Sequence, residues 1–251
     1  MVKMATRCSG FILSGALALS LAAASGIAQA EPGWHTPKPI FHAKRYAGLA
    51  TDWLEWVVAF PNASSPLLDP TGAFAAEEQS GNVWFLAGTA VSGQASRSVT
   101  LPEGTALFFP IVNNYWVNVP ELGDFPWSPA QEAFARSYIA NRVDTAHDLI
   151  LEIDGRAVPN ATKLRLRSAV GECTLPPDAD DNIFGGPIDA GPHECVADGY
   201  WAFVPPLSVG HHTIRFAGGL AADDFNLAFD LDVTYQITVR RHRHRMETNP
   251  H

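Results

Sequence analysis

Between Leu227 and Val239 seven apolar residues (Leu227, Phe229, Leu231, Val233, Tyr235, Ile237 and Val239) alternate without a break against Ala228, Asp230, Asp232, Thr234, Gln236 and Thr238. An extended chain points successive side chains to opposite faces, so this segment is a strand with one apolar and one polar face. It belongs in a sheet covered on one side only. Two other runs read differently. Val83–Ala87 and Ala106–Val112 are continuously apolar, the pattern of strands buried on both faces, with Pro110 expected at an edge or a bulge. Val99 and Leu101 alternate with polar residues ahead of the turn Pro102-Glu103-Gly104. Leu149–Ile153 meets Asp154-Gly155, a type I′ hairpin signal, before Arg156–Val158 returns. Leu164 and Leu166 alternate with Lys163, Arg165 and Arg167, and Tyr200–Val204 and His212–Phe216 read as a further pair. About eight closely spaced strands predict an antiparallel β-sandwich of jelly-roll or immunoglobulin-like type.

Two helices interrupt this pattern. From residue 43 to residue 60, Tyr46, Leu49, Trp53, Trp56, Val57 and Phe60 recur at spacings of three and four, and Pro61 stops the run. The second helix opens with Ser128 as N-cap, Pro129 at the first position and Gln131 three after the cap, a capping box. Ala130, Phe134 and Tyr138 are its expected apolar stripe, and it should end near Val143. One sandwich domain over residues 31–239 fits these elements; a division near residue 145 is the alternative.

The first 30 residues carry Lys3 and Arg7, an apolar run from Phe11 to Ala28, and Ala28-Gln29-Ala30. A charged start, an apolar middle and an A-x-A site are the parts of a secretory signal peptide, so a secreted or periplasmic protein is expected. Cleavage would remove two of 17 basic residues and none of 26 acidic ones, which leaves 15 against 26, a formal −11. Such an acidic chain is poorly suited to nucleic acid, and no later stretch is long enough to span a membrane. Cleavage also removes Cys8. Cys173 and Cys195 remain as an even pair that an oxidising compartment would join as a disulfide. Residues 240–251 form a basic tail, Arg240 to Arg245 alternating arginine with histidine after the first pair.

There is no G-x-S-x-G elbow, H-E-x-x-H, P-loop or G-x-G-x-x-G, so chemistry must be sought in clusters. Residues 171–199 hold Asp178, Asp180, Asp181, Asp189, His193, Glu194 and Asp198. Such a carboxylate-dense loop can supply the oxygens that Ca²⁺ requires. Asp181, His193, Glu194 and Asp198 are the candidate metal ligands, and a solvated acidic loop is the plainer alternative. Asp52 and Glu55 stand three apart on the first helix and, with His193 and Glu194, are the catalytic candidates, since paired carboxylates can serve as acid and base. Asn113, Asn114, Tyr115 and Trp116 follow a buried strand. Amides beside aromatic rings suit a sugar, so these four are the candidate ligand-binding residues.

Four segments taken together resemble a group of exported bacterial proteins of unknown function. They are Trp53-Leu54-Glu55-Trp56, the stretch from Gln79 to Thr89, the stretch from Pro102 to Asn113, and Asp198–Trp201 with Leu207–Phe216. The resemblance implies bacterial export and one compact domain, and it brings no chemistry. The expected function is therefore a secreted or periplasmic module that binds a glycan or another small cell-envelope ligand. An extracellular hydrolase or lyase and a structural envelope protein are the alternatives.

Overall fold

The computed structural model describes residues 43–189, 191–222 and 227–241. The segment read from sequence as a signal peptide and the tail beyond Arg241 lie outside the described residues. In chain order the elements are α1 (Ala43–Val58), β1 (Val83–Phe85), β2 (Gly93–Pro102), β3 (Ala106–Val117), α2 (Pro129–Val143), β4 (His147–Ile153), β5 (Arg156–Ala157), β6 (Arg165–Arg167), β7 (Gly171–Thr174), β8 (Pro192–Val204), β9 (Gly210–Leu220) and β10 (Phe229–Arg240).

The strands make two five-stranded sheets. One runs β1-β3-β8-β6, with β7 also on β8; the other runs β2-β10-β9-β4-β5. Most pairs are antiparallel, as the sandwich pattern predicts. The exceptions are β1 with β3 and β2 with β10, which are parallel, so both sheets are mixed. The inner faces meet through rings: Phe109 of β3 lies 4.8 Å from Phe216 of β9, which within its own sheet stacks on Tyr235 of β10. The outer face of the second sheet is polar, as the alternation in β10 requires. There Arg215 is bonded to Asp232 and Glu152, and Thr213 to Gln236.

The first sheet is covered on its other face by α1. Trp53, Leu54 and Val57 of α1 pack into a cluster with Phe108, Ala197 and Trp201. Phe108 stacks on Trp201 at 5.3 Å, and Trp53 meets Trp201 edge-on at the same distance. Trp53 Nε1 donates to the Leu86 carbonyl oxygen, so its one polar atom is satisfied in the core. Each such side chain, removed from water, stabilises the fold by about 1.5–3 kcal/mol. Beneath the same helix lies the disulfide Cys173–Cys195, both cysteines fully buried, joining β7 to β8.

α2 sits at the far end of β3 and β8. Ser128 Oγ accepts the Gln131 N–H, as the cap predicts, but the Gln131 side chain donates to Asn118 Oδ1 and the reciprocal half of the capping box is missing. The helix turns inward a face about 100° round from the one expected, one residue further along. Ala135, Ile139 and Val143 are buried, while Phe134 is 56% exposed and Tyr138 38%. The small residues allow α2 to approach Val196 of β8 closely, and the rings lean outward onto Trp116.

One of the deeply buried charges lies in β2. Arg97 of β2 is 1% exposed; its Nε donates to the Asp69 carbonyl, and its Nη1 donates to the Ala87 carbonyl and the Tyr235 hydroxyl. Asp69 folds its own turn, accepting from the Thr71 N–H and hydroxyl on one oxygen and the Phe74 N–H on the other. These bonds fix the chain that leads to β1.

Candidate functional site

A cleft of about 650 Å³ opens beside the C-terminal half of α1. One wall is the helix with the two residues that follow it, contributing Asp52, Glu55, Trp56, Ala59 and Phe60; the other is Glu78, Ser80 and Phe85. Both walls are held by side-chain hydrogen bonds. Gln79 Nε2 donates to the carbonyls of Ala75 and Phe85, and its Oε1 accepts the Phe85 N–H. Trp84 Nε1 donates to the Ala75 carbonyl and Trp56 Nε1 to that of Glu77. The segment carrying Glu78 and Ser80 has no regular secondary structure of its own, so these bonds set its place.

Three rings floor the cleft. Trp56 lies 5.8 Å from Phe60 and 5.7 Å from Phe85, and both Trp56 and Phe60 are largely buried. Carboxylates rim it. Glu55 Oε1 accepts the Glu172 N–H at 2.9 Å, which ties α1 to β7. That approach needs Gly171: a Cβ there would stand 2.6 Å from Glu55 Oε1 and 2.3 Å from Thr51 Cγ2. Asp52 is at the exposed lip, yet the wall behind it withdraws enough water to push its carboxyl above the usual range. Among the described residues no basic side chain lines the cleft.

Of the residues singled out from sequence, the structure brings together Asp52 and Glu55 and separates the rest. Strand β3 continues through Val117, because pairing with β8 resumes after an irregularity between Pro110 and Val112. Asn113, Asn114, Tyr115 and Trp116 are therefore inside a strand and alternate between its faces. Tyr115 packs against the cluster under α1, where burial pushes its phenol well up, while Trp116 packs against α2. The four do not converge on one ligand.

The structure does not bring the expected metal quartet together. The Asp198 carboxylate is buried in β8 and accepts from Arg165 Nε and Nη2 and from Arg167 Nε, so its charge is already compensated. His193 is also buried, with Nδ1 facing the Asn118 carbonyl and Nε2 that of Asp189, each at 3.1 Å. Glu194 is the next residue along the same strand, so its side chain points to the opposite face from that of His193. This separates the catalytic pair proposed there as well. Asp181 is an exposed loop residue. Among the described residues no three His, Cys, Asp or Glu side chains form a metal-holding group.

The acidic loop is organised instead by Asn182, which sequence reasoning missed. Its Nδ2 contacts the carbonyls of Pro176, Asp178 and Gly186, and its Oδ1 accepts from Phe184 and Gly185. A buried amide occupies the inside of the bend, and the carboxylates of Asp178, Asp180 and Asp181 face water. Asn62, just beyond α1, latches this loop through the carbonyls of Asp180, Asp181 and Asn182.

No family model matches the chain, and no curated protein matches it. One solved structure, that of PbICP-C in complex with falcipain-2, aligns with 64% of this chain and 100% of its own at 8% identity and a TM-score of 0.21. A likeness that slight bears on neither fold nor function. Among the described residues no helix is long and apolar enough to cross a membrane.

Proposed function

We propose that this protein is an exported module that binds a small organic ligand in the cleft beside α1. The observation that carries the reading is the cleft itself: an aromatic floor, a carboxylate rim, and walls fixed by Gln79, Trp56 and Trp84 before any ligand arrives. Its volume falls in the range of small-molecule sites, and preformed walls lower the entropic cost of binding. Support for export comes from the A-x-A segment and from a disulfide, which persists in oxidising compartments. The glycan version of the reading stood on Asn113 to Trp116. With those four divided between two faces of β3, the cleft replaces them.

Two measurements test this. Mass spectrometry of the protein recovered from an expressing bacterium should find a chain beginning at Glu31 outside the cytoplasm; retention inside with Met1 intact refutes export. Ligand-observed NMR against a mixed set of amines, sugars and carboxylic acids should find binders that are lost in Ala59→Trp, which fills the mouth from an exposed position. If no compound binds in that way, the ligand reading falls. A hydrolase using Asp52 and Glu55 is the second reading, favoured by the upward push on Asp52, which suits a general acid. Turnover of a glycoside by the natural chain and its loss in Asp52→Asn would favour this reading over simple binding.

A further inference from the structure

We infer that the ligand of this cleft is a small organic cation, an alkylated or methylated ammonium whose charge lies over the aromatic floor. This rests on the cleft being the ligand site. Among the described residues the lining provides carboxylates from Asp52, Glu55 and Glu78, no basic group, and one side-chain donor that is not committed elsewhere, the Ser80 hydroxyl. An anion would meet three like charges. A sugar presents many hydroxyls that need donors as well as acceptors, and this lining offers almost none.

A bare metal ion is the obvious rival, and the placement of the carboxylates argues against it. A hard cation needs its oxygens converged within coordination distance, yet no three acidic or metal-ligating side chains among the described residues do so. Here they are spread around the rim, with Asp52 and Glu55 on the helical wall and Glu78 on the facing segment. Spread charge suits a diffuse cation that keeps its distance from each carboxylate. The floor completes the match. Trp56 packs against both Phe60 and Phe85, and the negative face of an aromatic ring attracts an ammonium group while its methyl groups shed water against the ring. The acidic balance of the whole chain adds a long-range attraction of the same sign.

The test is calorimetric titration of the oxidised protein with choline, with its uncharged isostere 3,3-dimethyl-1-butanol, and with glucose. Choline should bind at least about tenfold more tightly than the isostere, the scale expected of a partly desolvated cation over an aromatic ring beside carboxylates. Asp52→Asn and Glu78→Gln, both at exposed positions, should each weaken choline several-fold. Ala59→Trp, and Ser80→Trp from the opposite wall, should abolish binding while the circular dichroism spectrum stays unchanged. Equal affinity for choline and its isostere overturns the inference and leaves the cleft as a binding site. So does cleft-dependent binding of glucose, or of any other neutral or anionic compound of the mixed set, without choline. Failure of every compound to bind in a manner sensitive to Ala59→Trp overturns the inference together with the reading beneath it.

Discussion

Substituting asparagine for Asp198 tests the reassignment of that residue from metal ligand to structural anchor. The carboxylate is 1% exposed and accepts three charge-assisted hydrogen bonds, at 3.1 and 2.9 Å from Arg165 and 3.2 Å from Arg167. Asparagine has nearly the same volume, so no cavity forms, but it replaces one acceptor with a donor that faces guanidinium N–H groups. Breaking one partner of a buried pair costs about 3–5 kcal/mol when the survivor is stranded. Arg165 is not fully stranded, because it also bonds Asp144 and the Ala140 carbonyl and is partly reached by water. The Arg167 side chain is 61% exposed and recovers most of its loss in solvent. The expected cost therefore falls to the bottom of that range or just below it, about 2–3 kcal/mol, or a fall in melting temperature of roughly 5–10 °C for a unit of this size. Thermal unfolding followed by circular dichroism measures it, with Asp144→Asn as the control. That carboxylate is 59% exposed and its loss should cost less than about 1 kcal/mol. If Asp198→Asn melts with the natural protein, or no lower than the control, the anchoring role is refuted.

Three further outcomes are expected. Replacing Cys173 and Cys195 together by alanine should lower stability by about 3 kcal/mol in urea unfolding, since the bridge closes a loop across a separation of 22 residues; a loss below about 1 kcal/mol would contradict this. Burial raises the Asp69 carboxyl, but hydrogen bonds from Phe74, Thr71 and Gly72 outweigh it and hold the group below its ordinary value of 3.8. A depressed carboxyl stabilises the fold fully above the unfolded value and loses that contribution as pH falls through the folded one. The stability gap between the natural protein and Asp69→Asn should therefore be constant from pH 5 to 8 and narrow below about pH 4; a gap unchanged at pH 2 would refute the assignment. On α2, Ile139→Ala should cost about 2–5 kcal/mol and Phe134→Ser much less, and the reverse order would restore the apolar stripe read from sequence.

What could be read in the sequence was local. The alternation of β10 and the Ser128 cap each state their own structure within a few residues, and the cysteine pair is legible from its count across a separation of 22. α2 shows where that reasoning stops. Phe134 and Tyr138 have the spacing of a core stripe, but how closely a neighbouring sheet can approach decides which face turns inward, and Ala135 and Ile139 permit closer contact. Asn113 to Trp116 look like a strand end because polarity rises after an apolar run. Their place in β3 is set by pairing with β8, a segment some 80 residues away. Of the cleft, the helical wall was visible as Asp52 and Glu55. The facing wall was hidden, because Glu78 and Ser80 are positioned by the side chain of Gln79 and by indole N–H groups, which no periodicity reports.

Gln79 does more than hold a wall. β1 is the outermost strand of its sheet, and Phe85 turns its backbone N–H and carbonyl away from β3. The carboxamide answers both groups at once, as a neighbouring strand would. An open edge invites a foreign strand to add on, the first step toward aggregation. One side chain here occupies the place such a strand would take. The residue that shapes the cleft thus also guards the sheet against growth, so changes at Gln79 made to tune ligand binding would carry a cost in solubility.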